Sequence, residues 1–117
     1  MNKTKATDFL NKEIEVTIDR TLGSKHPKYG FSYPINYGFI QNTKAPDGEE
    51  IDAYVLFVDK PIKKFTGLCV GIIHRTNDND DKLVVVPKDR SNVSDNEISE
   101  QVMFQEKYFE SVIIRVR

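Results

Sequence analysis

Leu83-Val84-Val85-Val86-Pro87, followed by Ser94-Asp95-Asn96-Glu97, divides the chain into two patterns. Four consecutive apolar residues, three of them β-branched, predict a strand that is apolar on both faces and therefore central. Pro87 marks its end. Ser94 and Glu97 have capping-box spacing, so each side chain can satisfy a backbone donor at a helix start. From there Ile98, Val102, Met103 and Phe109 make a helical apolar stripe running to about Phe109. Upstream the period is two. Ile14, Val16 and Ile18 alternate with Glu13, Glu15 and Thr17 as a half-buried strand. Ile51 to Val58 and Leu68 to His74 also read as strands, and Phe31 to Ile40 as an aromatic-rich extended segment bent at Pro34. Thr21 to Gly30 is a loop, Pro46-Asp47-Gly48 a turn and Asn77 to Asp81 an acidic loop. Val112, Ile114 and Val116 suggest a short final strand. The expectation is a mainly β, α+β fold: a small barrel of five or six strands with one C-terminal helix packed on it.

At 117 residues the chain has room for one domain, 1–117. Seventeen Lys and Arg against eighteen Asp and Glu leave a net charge of −1, which argues against nucleic acid as a partner. No run approaches the ~18 apolar residues of a membrane span. The start, MNKTKATDFLNKE, lacks a signal-peptide core, so no membrane role is expected and a cytoplasmic location is the default. Cys69 has no partner for an internal disulfide and reads as a small buried hydrophobe.

Two acidic groups and one aromatic segment call for a chemical reading. In Asp47-Gly48-Glu49-Glu50-Ile51-Asp52 a turn runs into a strand; it is either a solvated corner or a place where carboxylates converge and need a cation. Asn77-Asp78-Asn79-Asp80-Asp81-Lys82 lacks the sixth-position Gly of an EF-hand loop, and is either a plain hairpin loop or an acidic strand mouth with Lys82 beside it. Tyr33-Pro34-Ile35-Asn36-Tyr37-Gly38-Phe39 places two hydroxyls and an amide where Phe would satisfy packing, so polar partners for the tyrosines are expected.

In this order and spacing, the aromatic segment, the Asp47–Asp52 corner and Asp80-Asp81-Lys82-Leu83-Val84-Val85-Val86-Pro87 resemble the soluble, Mg-dependent inorganic pyrophosphatases of the single-domain barrel type. The resemblance runs from about Asp19 to Pro87, with a fainter echo at Phe104 to Tyr108, and describes a short, divergent member. It implies an OB-like barrel, hydrolysis of pyrophosphate to two phosphates, Mg²⁺ (with Mn²⁺ as a substitute) and a homo-oligomer. By the resemblance, Asp47, Asp52, Asp78 and Asp80 are metal ligands, with Asp52 bridging. Glu49 activates the attacking water, and Asp52 and Lys82 complete the catalytic set. Arg20, Lys28, Tyr37, Lys82 and Tyr108 bind substrate, and Tyr33 lies behind them at the rim.

The departures matter too. Glu49 stands where the family has Asp, and Phe109 where it usually has Lys. The upstream ligand of the acidic loop aligns with Asn77 or Asp78. At the N-terminal side two alignments compete: one makes Asp19-Arg20 the family's Asp-Arg pair, the other matches Lys28-Tyr29 to a Lys-Tyr pair. Physically, hard oxygen ligands suit Mg²⁺ or Mn²⁺, while His26 and His74 have no ligand spacing for zinc. Lys82 and Arg20, with Lys28 or Arg75 as further cations, would hold an anion that repels any anionic nucleophile. No Ser, Cys or His arrangement suggests a covalent intermediate, so direct attack by a metal-bound hydroxide is the expectation. Two alternatives stay open: hydrolysis of a larger phosphoanhydride, and a weak or inactive phosphate- or metal-binding homologue.

Overall fold

The computed structural model describes residues 5–45, 48–77 and 80–115. Six strands form: β1 (Glu13–Arg20), β2 (Asn36–Phe39), β3 (Asp52–Val55), β4 (Lys64–Arg75), β5 (Asp80–Val86) and β6 (Ser111–Ile114). One α-helix, α1 (Asp95–Glu106), lies between β5 and β6. The order is β1-β2-β3-β5-β4-β6, and β1 also pairs with β4, which closes the first five strands into a barrel. All pairs are antiparallel except β3 with β5. The 12-residue β4 serves three neighbours: its first half pairs with β1, its second half with β6, and β5 runs along its other edge. This is the five- or six-stranded, helix-capped barrel expected from the periodicity.

The central strand has two apolar faces, as its four consecutive aliphatics required. Leu83 and Val85 join Val16, Ala53, Val55, Cys69 and Ile72 in one cluster, while Val84 and Val86 join Tyr54, Leu56, Ile98 and Val102 in the other. The first fills the barrel; the second lies between its outer wall and α1. Side chains alternate along a strand, so β5 and β3 each feed both cores. Gly38 is required where β2 crosses β1, since a Cβ there would sit 1.9 Å from the Thr17 carbonyl oxygen. No helix among the described residues is long and apolar enough to cross a membrane.

Several elements differ in extent from the periodicity reading. The Phe31–Ile40 segment contributes only Asn36–Phe39 to the sheet; before it, Lys25 and Ser32 make a single isolated bridge, and Pro34 lacks the N–H a ladder needs. The 51–58 strand is confined to Asp52–Val55, and β4 extends four residues further toward the N-terminus than Leu68. The capping box forms as expected, Ser94 Oγ accepting from the Glu97 N–H. The helix stops at Glu106, three residues short of Phe109. Tyr108 and Phe109 donate to carbonyls three residues back, a tightening that ends the α-helical ladder. Met103 is exposed and is not part of the buried stripe. β6 covers Ser111–Ile114, and Val116 lies outside the described residues.

Candidate active site

Register brings the polar residues of five strands to one place. Arg20 pairs with Tyr37, Tyr37 with Tyr54, Asp52 with Lys82, and Arg75 with Asp80. Paired residues share a face, so these side chains project from the outer wall of the barrel, on the same side as α1.

Lys82 is the centre of the arrangement. Its Nζ donates to Asp52 Oδ2 at 2.8 Å and to Asp80 Oδ2 at 2.7 Å. The Tyr37 hydroxyl donates to the same Asp52 oxygen at 2.8 Å. Lys82 is only 5 % exposed, so its tip is enclosed between carboxylates rather than open at a strand mouth. Burial alone would lower the ammonium's pKa, but the Asp52 and Asp80 charges outweigh it, so the net value is raised and Lys82 is a cation at neutral pH. Burial first, then the Asp52 charge, raise the Tyr37 hydroxyl far above its ordinary value, fixing it as a proton donor.

A second polar layer comes from the end of α1. Gln105 and Glu106 occupy the seventh and eighth places after Ile98, on the buried face of the helix. The Tyr33 hydroxyl donates to Gln105 Oε1 at 3.1 Å, and Gln105 Nε2 donates to the Tyr54 hydroxyl at 2.8 Å. Tyr54 in turn donates to Glu106 Oε2. Glu106 receives Arg75 bidentately, from Nε at 3.1 Å and Nη2 at 2.8 Å. The Arg75 guanidinium also lies over the Phe109 ring at 3.6 Å and stands 3.8 Å from Asp80. Both expected tyrosine partners are therefore present: Asp52 for Tyr37 and Gln105 for Tyr33. The amide between them is structural. Asn36 is fully buried, accepts from the Leu22 N–H and donates to the Lys60 carbonyl, tying two loops to β2.

These groups border a cavity of about 420 Å³. Arg20, Tyr37, Glu49, Asp52 and Lys82 line it, as do Asp19, His26, Tyr29, Tyr33, Glu50, Arg75, Gln105 and Phe109. Asp80 joins through Lys82. Lys28 and Tyr108 are not in the lining: both are exposed, and Tyr108 stacks on Tyr29 with ring centroids 4.6 Å apart. Of the competing pairs, Asp19-Arg20 borders the cavity together, whereas only Tyr29 of Lys28-Tyr29 does. Asp47 and Asp78 lie outside the described residues. Sequence reasoning missed Tyr54, Gln105, Glu106 and His26. Gln and Glu on a helix's core face carry a signal, since buried polar groups demand partners.

Acidic neighbours compete inside the cavity. Asp19 is raised above 3.8 by partial burial first, with Asp52 and Glu50 adding and Arg20 opposing. His26 is lowered by burial and by the nearby cations Arg20 and Lys28. Its Nδ1 accepts from the Lys28 and Tyr29 N–H groups, so the neutral ring closes its own loop. Asp19, Glu49, Glu50 and Asp52 all border the cavity and offer hard carboxylate oxygens of the kind Mg²⁺ prefers. Among the described residues no three His, Cys, Asp or Glu side chains converge as a preformed site.

Comparison with known proteins identifies the family. The family model described as inorganic pyrophosphatase matches residues 3–113. The chain is 38 % identical over 95 residues to the inorganic pyrophosphatase of Pseudomonas aeruginosa, covering 78 % of this chain and 54 % of that one. It is 42 % identical over 85 residues to inorganic pyrophosphatase 1 of Pseudomonas syringae pv. tomato, covering 69 % of this chain and 49 % of the relative. The chain thus spans about half the length of these curated relatives. The fold is shared with the inorganic pyrophosphatase structure from Ehrlichia chaffeensis, at a TM-score of 0.67 and 23 % identity, over 87 % of this chain and 84 % of that one. On its sequence match and its helix-capped barrel, the chain belongs to the inorganic pyrophosphatase family.

Proposed function

We propose that the protein hydrolyses inorganic pyrophosphate to two phosphates with Mg²⁺ as cofactor, Mn²⁺ being able to substitute. The observation that carries this reading is the Asp52–Lys82–Asp80 bridge with Tyr37 on the shared Asp52 oxygen, set at a cavity lined by both acids and cations. An active site for a dense anion needs cations for the substrate and carboxylates for a metal, and this cavity supplies both.

Asp52 and Asp80 would hold the cation, with Asp47 and Asp78 as the remaining ligands expected from the sequence. When bound, the cation neutralises phosphate charge and acidifies water. The chain's own residues do the rest. Arg20 and Lys82 bind the anion, and Tyr37 orients Asp52. Glu49, exposed at the cavity edge, takes the proton from the attacking water.

Phosphate release from pyrophosphate, tripolyphosphate and ATP, each with and without Mg²⁺, tests the proposal. Rapid Mg²⁺-dependent release from pyrophosphate supports it. Preference for tripolyphosphate or ATP would shift the reading to a larger phosphoanhydride, which the roomy cavity would admit. No release from any of the three refutes hydrolysis and leaves a binding homologue.

A further inference from the structure

Arg75 is 6 % exposed, yet it borders the cavity rather than the packed core. Its planar fork is fixed on two sides: one edge is bound bidentately by Glu106, and one face lies on the Phe109 ring. A guanidinium held this way loses little further conformational entropy when it meets a ligand. The charge balance of the cavity shows why it is needed. Asp19, Glu49, Glu50 and Asp52 make the wall acidic, and Lys82 is already committed to two carboxylates. Arg20 and a Lys82 whose charge is shared with Asp52 and Asp80 are together a poor match for a pyrophosphate.

We propose that Arg75 binds a phosphate group of the substrate, with Glu106 as the positioning residue that aims it and Phe109 as the surface it rests on. This rests on the pyrophosphatase reading and adds a residue to it. It also accounts for the apolar residue at 109, where the family's pattern has Lys. The positive charge reaches the cavity from β4 instead of from the end of α1, and a Lys at 109 would be driven against a guanidinium. A structural tie between α1 and the barrel would need the Arg75–Glu106 pair, but would not need it at the cavity wall.

Calorimetric titration with inorganic phosphate at fixed Mg²⁺ tests this. Arg75→Met alone would strand a buried carboxylate, so the informative variant is R75M/E106Q, in which Gln still accepts from Tyr54. Its phosphate affinity should fall at least about tenfold, the loss expected for charge-assisted hydrogen bonds. R75K is the second variant, folded but without the fork, and should lose roughly threefold or more. Phosphate affinity within twofold of wild type in either folded variant would overturn the proposal, whatever happens to thermal stability. Turnover of pyrophosphate is measured beside it. A wild type that binds phosphate through Arg75 but releases none from pyrophosphate refutes the hydrolase reading alone. Turnover with unchanged KM and phosphate affinity in R75M/E106Q refutes the Arg75 assignment alone.

Discussion

Replacing Lys82 by Met would separate the stabilising part of the site from its chemistry. Methionine fills much of the volume of the lysine stem, so packing is largely kept and the charge is lost. What remains is Asp52 and Asp80, each deprived of a partner that lay within 2.8 Å. Breaking a fully buried pair by removing one partner costs about 3 to 5 kcal/mol. Here the Asp52 side chain is 36 % exposed and that of Asp80 22 %, so water recovers part of the penalty. A cost of about 2 kcal/mol is the reasonable figure, which corresponds to a fall in Tm of roughly 8 °C for a domain of this size. Asp52→Asn in the same background removes one of the two facing charges, so the double variant should regain at least about half of that loss. Thermal unfolding followed by circular dichroism at pH 7, at low and moderate salt, measures all three proteins. Because the pair is enclosed, the difference should change little with salt. Should K82M unfold within about 2 °C of wild type, or D52N fail to offset it, the carboxylates are not held together by Lys82 and the charge argument is wrong.

Three further outcomes follow from other residues. Asp52→Asn should abolish pyrophosphate turnover and weaken Mg²⁺ binding by calorimetry while the fold is kept; equal Mg²⁺ affinity in variant and wild type removes Asp52 from the metal set. Glu49→Gln should lower turnover by about 10² or more, with Mg²⁺ affinity much less affected; steady-state kinetics across pH retaining nearly full activity would leave Glu49 as a turn residue. Cys69 is fully buried, and burial pushes its thiol up to about 11 against the opposing backbone hydrogen bonds. The stability owed to the neutral thiol is complete below 9.0 and is lost as pH rises through about 11. Native protein should therefore resist iodoacetamide at pH 8 and react only after unfolding, and Cys69→Ala should lack that share of the alkaline decline.

The elements that were legible in the sequence are those whose side chains face two environments in strict alternation. β1 declared itself through Ile14, Val16 and Ile18, and β5 through an apolar run that only a two-faced strand needs. Residues 31–35 were harder, because aromatic side chains bury equally well from a loop: Tyr33 is 2 % exposed without belonging to any strand. That Tyr37 needs a polar partner was legible, but that the partner is Asp52, and that Lys82 is enclosed by Asp52 and Asp80, rests on the β2–β3 and β3–β5 registers. Gln105 and Glu106 could not be placed, since pairing them with Tyr54 and Arg75 requires knowing that the end of α1 packs against β3 and the end of β4. That is a long-range fact, and no local pattern encodes it. Arg75 was visible only as one more cation.

Barrel closure has a kinetic consequence. The strands that seal it, β1 and the first half of β4, pair Glu13 with Leu68 and Thr17 with Lys64, partners roughly fifty residues apart. Their contact is rewarded only after the chain between them has been ordered, so the seam should form late and set a folding time in the millisecond-to-second range typical of barrels rich in non-local pairing. Until it forms, β1 and β4 each present an open edge, and the nascent chain is most exposed to intermolecular strand pairing at that stage.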